Sequence, residues 1–236
     1  MGRAFEYRRA AKEKRWATMS RVFPKISRLI TLAVKESGPD PDTNSKLRLA
    51  IQAGKAANMP KDNVENAIKR ATAKDSEDYT EVNYEGKGPH GVLVFVECAT
   101  DNTVRTVANV KSYFNKAGGS VVPTGSLEFM FDRKTVVEFE KPADFEPDDF
   151  ELEMIDFGLE SFEIDENTIY AYGDYTNFGT LTKAIEEKGW TLLKANLQRI
   201  PTTPVEFTDD QMVDIEKLLD KLEDDDDVQA VYTNLA

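Results

Sequence analysis

The chain has 236 residues, enough for one large domain or two to three small ones, and its composition is that of a globular protein: 40% hydrophobic, 31% charged, 13 Gly and 10 Pro. No stretch approaches the roughly 18 apolar residues of a membrane-spanning helix. A single cysteine, Cys98, and a single histidine, His90, exclude an internal disulfide framework, a multi-cysteine zinc site and most metal and triad chemistry. The net charge of -13 conceals a polarised chain. Residues 1–74 hold 17 Lys and Arg against 7 Asp and Glu, whereas residues 75–236 hold 13 against 36. A basic head on an acidic body suits a head that meets a polyanion, and its bland counterpart is a helical domain with solvated cations.

The N-terminus carries many cations, but Glu6 and Glu13 break the acid-poor pattern of a presequence and no apolar h-region follows. Position 6 is Glu6 where myristoylation asks for Ser or Thr. The reading is therefore a cytoplasmic protein with no membrane partner, whose first 18 or so residues form a basic arm.

Ile26, Leu29, Ile30, Ala33 and Val34 then recur at helical spacing, and the loop Ser37-Gly38-Pro39-Asp40-Pro41-Asp42 ends that helix. Leu47, Ala50, Ile51, Gly54 and Ala57 mark a second helix, and Pro60 opens a third through Val64, Ala67, Ile68 and Ala71. An acidic linker follows over residues 73–78. Val92–Ala99 reads as a strand, Val107, Val110, Phe114 and Ala117 as a helix stopped by Gly118-Gly119, and Leu127, Phe129 and Phe131 as an alternating strand. The segment 135–200 gives strand, helix, hairpin, helix and strand, the β-α-β-β-α-β order of a ferredoxin-like unit. The missing end of the first cycle comes after Pro204. There Thr208 and Gln211 form a capping box, Met212, Ile215, Leu218, Leu219 and Leu222 a buried stripe, and Val228–Leu235 a last strand.

The predicted class is thus α+β: a basic arm and three-helix domain (1–74), an α/β lobe made of 79–134 plus 201–236, and a second ferredoxin-like lobe (135–200) inserted in the first. Arg8, Arg9, Lys12, Lys14 and Arg15 of the arm, with Arg21, Lys25, Arg28, Lys46, Arg48 and Lys55 of the helical domain, are the candidate phosphate contacts. The charges of the helical domain lie off the apolar stripes, so reversing them is expected to cost binding and not folding. Lys61 and Lys69 on the third helix offer a comparison.

Other motifs favour structure over chemistry. Gly86, Gly88 and Gly91 spell G-x-G-x-x-G, but they precede a strand instead of following one and opening a helix, so they read as a turn with His90 in it. Cys98 reads as a buried small hydrophobe, and Asp224-Asp225-Asp226-Asp227 as a solvated turn without the glycine of a calcium loop. Phe129, Phe131, Phe139, Tyr170 and Tyr172 alternate as core residues of strands, beside too much negative charge for a base-stacking platform. The acidic lobes are left for a basic protein partner or for orienting the head.

The chain resembles the YebC/PmpR family of transcriptional regulatory proteins, which includes the mitochondrial translational activator of cytochrome oxidase. The likeness runs through Arg21-Val22-Phe23-Pro24-Lys25, Asp42 to Ile51, and Ala57 to Ile68. It continues in Tyr84-Glu85-Gly86, Thr100-Asp101-Asn102, Arg105-Thr106, Gly118-Gly119 and Gly125-Ser126. The start departs from it: the family's usual Gly-His-Ser-Lys-Trp is replaced by Gly2-Arg3-Ala4-Phe5-Glu6-Tyr7, so no role of that histidine carries over. The resemblance implies three domains around a cleft, no cofactor and no catalysis, and the residue counts above already leave no metal site to expect. It also implies a nucleic-acid partner: DNA for members that regulate transcription, ribosomal or transfer RNA for members that relieve ribosomes stalled on proline-rich nascent chains. The function expected is a non-enzymatic, DNA-binding regulator of transcription. The alternatives are a ribosome-associated translation factor and, third, a protein-interaction module.

Overall fold

The computed structural model describes residues 19–73 and 78–236. The arm residues Arg8, Arg9, Lys12, Lys14 and Arg15 and most of the acidic linker lie outside them, as does the side chain of Arg21. Among the described residues no helix is long and apolar enough to cross a membrane. Along the chain come α1 (Met19–Ser37), α2 (Ser45–Ala56), α3 (Lys61–Ala71), β1 (Thr80–Lys87), β2 (Leu93–Thr100), α4 (Thr103–Lys116) and β3 (Ser120–Val122). Then follow β4 (Phe131–Glu140), α5 (Pro147–Met154), β5 (Leu159–Asp165), β6 (Thr168–Asp174), α6 (Phe178–Glu187), β7 (Leu192–Pro201), α7 (Asp209–Glu223) and β8 (Val228–Thr233).

The three N-terminal helices bury the stripes the sequence marks: Ile26, Ile30, Ala33 and Val34 of α1 meet Leu47 and Ala50 of α2 and Val64, Ala67 and Ala71 of α3. Asn44 fixes the first corner. Buried to 2% exposure, its carbonyl caps α2 by accepting from the Leu47 N–H, while its amide donates to the carbonyls of Ala33 (2.7 Å) and Gly38 (2.8 Å). One side chain thus ends α1 and starts α2, satisfying terminal backbone groups that would otherwise be orphaned.

The chain divides into two compact units, one running to Phe131 and resuming at Pro201–Ala236, the other Asp132–Ile200. In the first unit the sheet order is β3-β1-β2-β8, and α4 and α7 cover one face through Val110, Phe114, Ile215, Leu218 and Leu222. Thr208 and Gln211 close the capping box of α7, and Phe207 and Met212 pack against the same core. In the second unit the order is β5-β6-β4-β7, with an aromatic core in which Phe139 stacks on Trp190 at 5.2 Å. Close packing requires glycine at Gly86, where a Cβ would stand 2.3 Å from the Phe114 ring.

Two local expectations are corrected. The first lobe opens with a strand the sequence pattern did not mark: β1 pairs with β2 along its whole length, so the lobe reads β-β-α-β and later α-β. Residues 127–130 are not a strand but a 3-10 turn, with Leu127 and Phe131 buried against Phe95 and Phe129 left 75% exposed. The buried carboxylate of Glu85 imposes that turn, accepting from the backbone N–H groups of Gly125 (2.6 Å) and Leu127. A hydrogen-bonded turn overrides apolar alternation because it satisfies backbone donors that the burial of this segment would strand.

Candidate nucleic-acid interface

The basic residues of the head fall into two sets. Lys25 and Arg28, one turn apart on α1, point into the fold. The Lys25 ammonium donates to the Glu223 carbonyl at the end of α7 (2.7 Å). Burial pushes its pKa below the usual lysine value, against the opposing pull of Glu223 and Asp226. Arg28 donates to the carbonyls of Ala99 and Asp226, lies 3.0 Å from an Asp227 carboxylate oxygen, and stacks 5.2 Å from the centre of the Tyr79 ring. Its side chain keeps only 15% of its exposure.

The acidic run that receives these cations is only in part the solvated turn expected from sequence: Asp224 and Asp226 are exposed, whereas Asp225 and Asp227 are engaged inside the fold. Asp227 is 2% exposed and also binds Arg105 at 2.8 Å, with Thr100 and Thr106 donating their hydroxyls at 3.2 and 2.8 Å. Asp225 accepts from Asn109 (3.1 Å) and from the Tyr113 hydroxyl (2.9 Å). Burial alone would raise the Asp227 pKa, but hydrogen bonds from Arg105 and Thr106 and the charge of Arg28 outweigh it and hold the carboxyl below its ordinary value. Asn102 caps α4 by accepting from the Arg105 N–H at 3.0 Å. The Thr100-Asp101-Asn102 and Arg105-Thr106 motifs therefore build the socket for Asp227.

The second set faces solvent. Lys46 is exposed and paired with Glu36, Lys55 is exposed on the last turn of α2, and Lys61, Lys69 and Arg70 are exposed on α3. Arg48 is partly covered and donates to the Pro41 carbonyl at 3.1 Å. Of the sequence-derived contacts within the described side chains, Lys46 and Lys55 present their cations outward, Arg48 leans on the α1–α2 loop, and Lys25 and Arg28 are engaged internally. Reversing all of these charges together would disturb packing, contrary to the expectation that it would spare the fold, because two of them face carboxylates and carbonyls of the lobe. The pairs at Lys46–Glu36 and Lys61–Glu65 are exposed and contribute little to folding.

The remaining motifs are structural. His90 occupies a 3-10 turn at φ 57° and lies 3.1 Å from Asp214. Cys98 is buried, and burial pushes its thiol up to about 12, far from nucleophilic ionisation at neutral pH. No group of three His, Cys, Asp or Glu residues among the described residues is arranged to hold a metal ion.

Comparison with known proteins matches residues 3–74 to the family described as "TACO1/YebC protein N-terminal domain" and residues 79–235 to "TACO1/YebC second and third domain". A relative from Wolinella succinogenes, called "Probable transcriptional regulatory protein WS1016", is 62% identical over 100% of both chains. One from Campylobacter curvus is 59% identical and one from Campylobacter fetus 57% identical, again over 100% of both chains and under the same kind of name. Among solved structures, a conserved hypothetical protein of Aquifex aeolicus is similar with a TM-score of 0.79 and 32% identity, over 92% of this chain and 90% of that one.

Proposed function

This chain belongs to the TACO1/YebC family, and from that premise we propose that it is a non-enzymatic, cytoplasmic regulator of transcription that binds DNA with its basic head. The observation that carries the reading is the outward set of cations on α2 and α3. Lys46, Lys55, Lys61, Lys69 and Arg70 are exposed on helices whose opposite faces form a closed apolar core. Such cations neutralise phosphates and release their counterions, an attraction that needs neither a cofactor nor a metal. Relatives named as transcriptional regulatory proteins favour DNA as the polyanion. The acidic lobes, repelled by phosphate, keep the contact to the head.

The test is to crosslink the protein in cells and sequence the captured genomic DNA and RNA side by side. Enrichment of promoter DNA is the expected result. Ribosomal or transfer RNA crosslinks without promoter DNA would overturn the transcriptional reading in favour of a translation factor, and capture of neither would overturn nucleic-acid binding.

A further inference from the structure

The short helix α5 of the second unit has an inner face that satisfies the fold and an outer face that the fold does not use. Phe150 and Met154, four residues apart, are 2% and 1% exposed. The Phe150 ring lies 5.2 Å from Phe145 and Phe162 and 5.7 Å from Phe139 and Trp190, so the helix is already anchored by an aromatic core. Opposite these residues stand Leu152, 75% exposed, and, in the 3-10 turn (Ile155–Phe157) that continues α5, Ile155, 57% exposed, at the three-residue spacing that makes side chains neighbours on a helical turn. A helix already held by its inner face has no folding reason to present Leu and Ile to water.

The charged side chains beside this apolar pair on α5 and in the turn after it are all acidic. Asp148, Asp149, Glu151 and Asp156 are exposed around it and make no ion pair with a described residue, whereas Glu153 and Glu160 of the same unit are bridged by Lys188 and Lys134. From 142 to 182 the chain contains twelve Asp and Glu and no Lys or Arg. An apolar centre with a charged rim is the anatomy of a protein-docking patch, and the sign of the rim selects the partner. Nucleic acid and anionic lipid are repelled by it, and the same face of a second copy would bring like charges together.

We propose that the outer face of α5 is a docking surface for a basic amphipathic segment of another protein, whose apolar side chains cover Leu152 and Ile155 while its Lys and Arg meet the four carboxylates. The surface belongs to the second unit of the chain and the basic head to the first. The head would recruit the protein to nucleic acid, and α5 would recruit a basic partner to the protein.

The test uses the full chain and a fluorescently labelled synthetic helix of Leu and Lys at helical period, read by anisotropy. Leu152→Ser/Ile155→Ser and, separately, the neutral set Asp148→Asn, Asp149→Asn, Glu151→Gln and Asp156→Asn should each weaken binding roughly tenfold or more. Leu152→Ser/Ile155→Ser retains the unfolding midpoint because both side chains point outward, whereas the neutral set lowers it slightly, since Asp148 and Asp149 complement the N-terminus of α5. A Lys/Ala helix of equal charge should bind as weakly as the Leu152→Ser/Ile155→Ser variant allows, and a Glu/Leu helix should not bind. Unchanged binding in both variants, or equal binding of the Lys/Ala helix, would show nonspecific attraction to a polyanion and overturn the proposal. Sedimentation of the protein alone supplies the last arm: self-association that disappears in Leu152→Ser/Ile155→Ser would assign the face to a second copy and overturn it as well. Normal binding of nucleic acid by both variants keeps this outcome distinct from the function of the head.

Discussion

Arg28 of α1 and Asp227 before β8 stand 3.0 Å apart, and their contact joins the basic head to the first α/β lobe across nearly the full length of the chain. Asp227 is held in place by Arg105, Thr100 and Thr106, so the carboxylate that receives Arg28 is already desolvated and oriented. A prearranged acceptor of this kind lowers the ordering cost of docking and fixes the direction of α1. Lys25 and Arg28 thus spend their charge on the lobe, and the α2 and α3 cations are the ones left facing outward.

Removing Asp227 should be costly. Asp227→Ala strips a buried carboxylate from Arg28, Arg105 and two threonine hydroxyls, and breaking a buried pair on one side costs about 3–5 kcal/mol. Urea unfolding of Asp227→Ala, Arg28→Ala and the double variant should give a coupling of about 0.5–3 kcal/mol between the two sites. A loss below about 1 kcal/mol for Asp227→Ala would show that the cluster is solvated and not structural.

The pH dependence follows from the same carboxyl. Its folded pKa lies below the unfolded value of about 3.9, so its stabilisation is fully present above that pH and is lost as pH falls through the folded value. The stability gap between wild type and Asp227→Asn should therefore stay constant between about pH 7 and pH 5 and close only below about pH 3.9. A gap that closes near neutrality would point to a different titrating group.

Gly86→Ala tests the packing of the first lobe. Its new Cβ would sit 2.3 Å from the Phe114 ring beneath α4, and overpacking of this kind costs about 1–3 kcal/mol. Phe114→Leu in the same chain should recover part of the loss. If Gly86→Ala melts at the wild-type temperature, β1 and α4 are not in the contact described.

How much of this was legible depends on what each signal reports. The helices of the head, the α7 capping box and the helix stop at Gly118 could be read because local chemistry determines them: apolar spacing, a Thr-x-x-Gln pair, and left-handed backbone that favours glycine. Strand β1 escaped because Thr80–Lys87 has few apolar residues. Tyr84 and Gly86 face the core, and Glu85, which sequence logic assigns to solvent, is buried at 1% exposure to hold a loop some forty residues away. The fates of Lys25 and Arg28 escaped for the same reason. Their positions off the apolar stripe are correct, but the surface they meet comes from the acidic end of α7, a tertiary contact with no local signature. The motifs Thr100-Asp101-Asn102 and Arg105-Thr106 held the missing clue, since an Arg and two hydroxyls gathered at one helix start call for a carboxylate partner.

The central claim, that the outward cations of α2 and α3 form the phosphate-binding surface, is tested most directly by the salt dependence of DNA binding. Wild type should lose affinity with a log-log slope of about -0.9 per neutralised phosphate on duplex DNA. The Lys46→Glu, Lys55→Glu, Lys61→Glu, Lys69→Glu and Arg70→Glu variant should remain folded, bind more weakly and show a slope several phosphates shallower. A folded five-site variant with wild-type affinity and an unchanged slope would contradict the account.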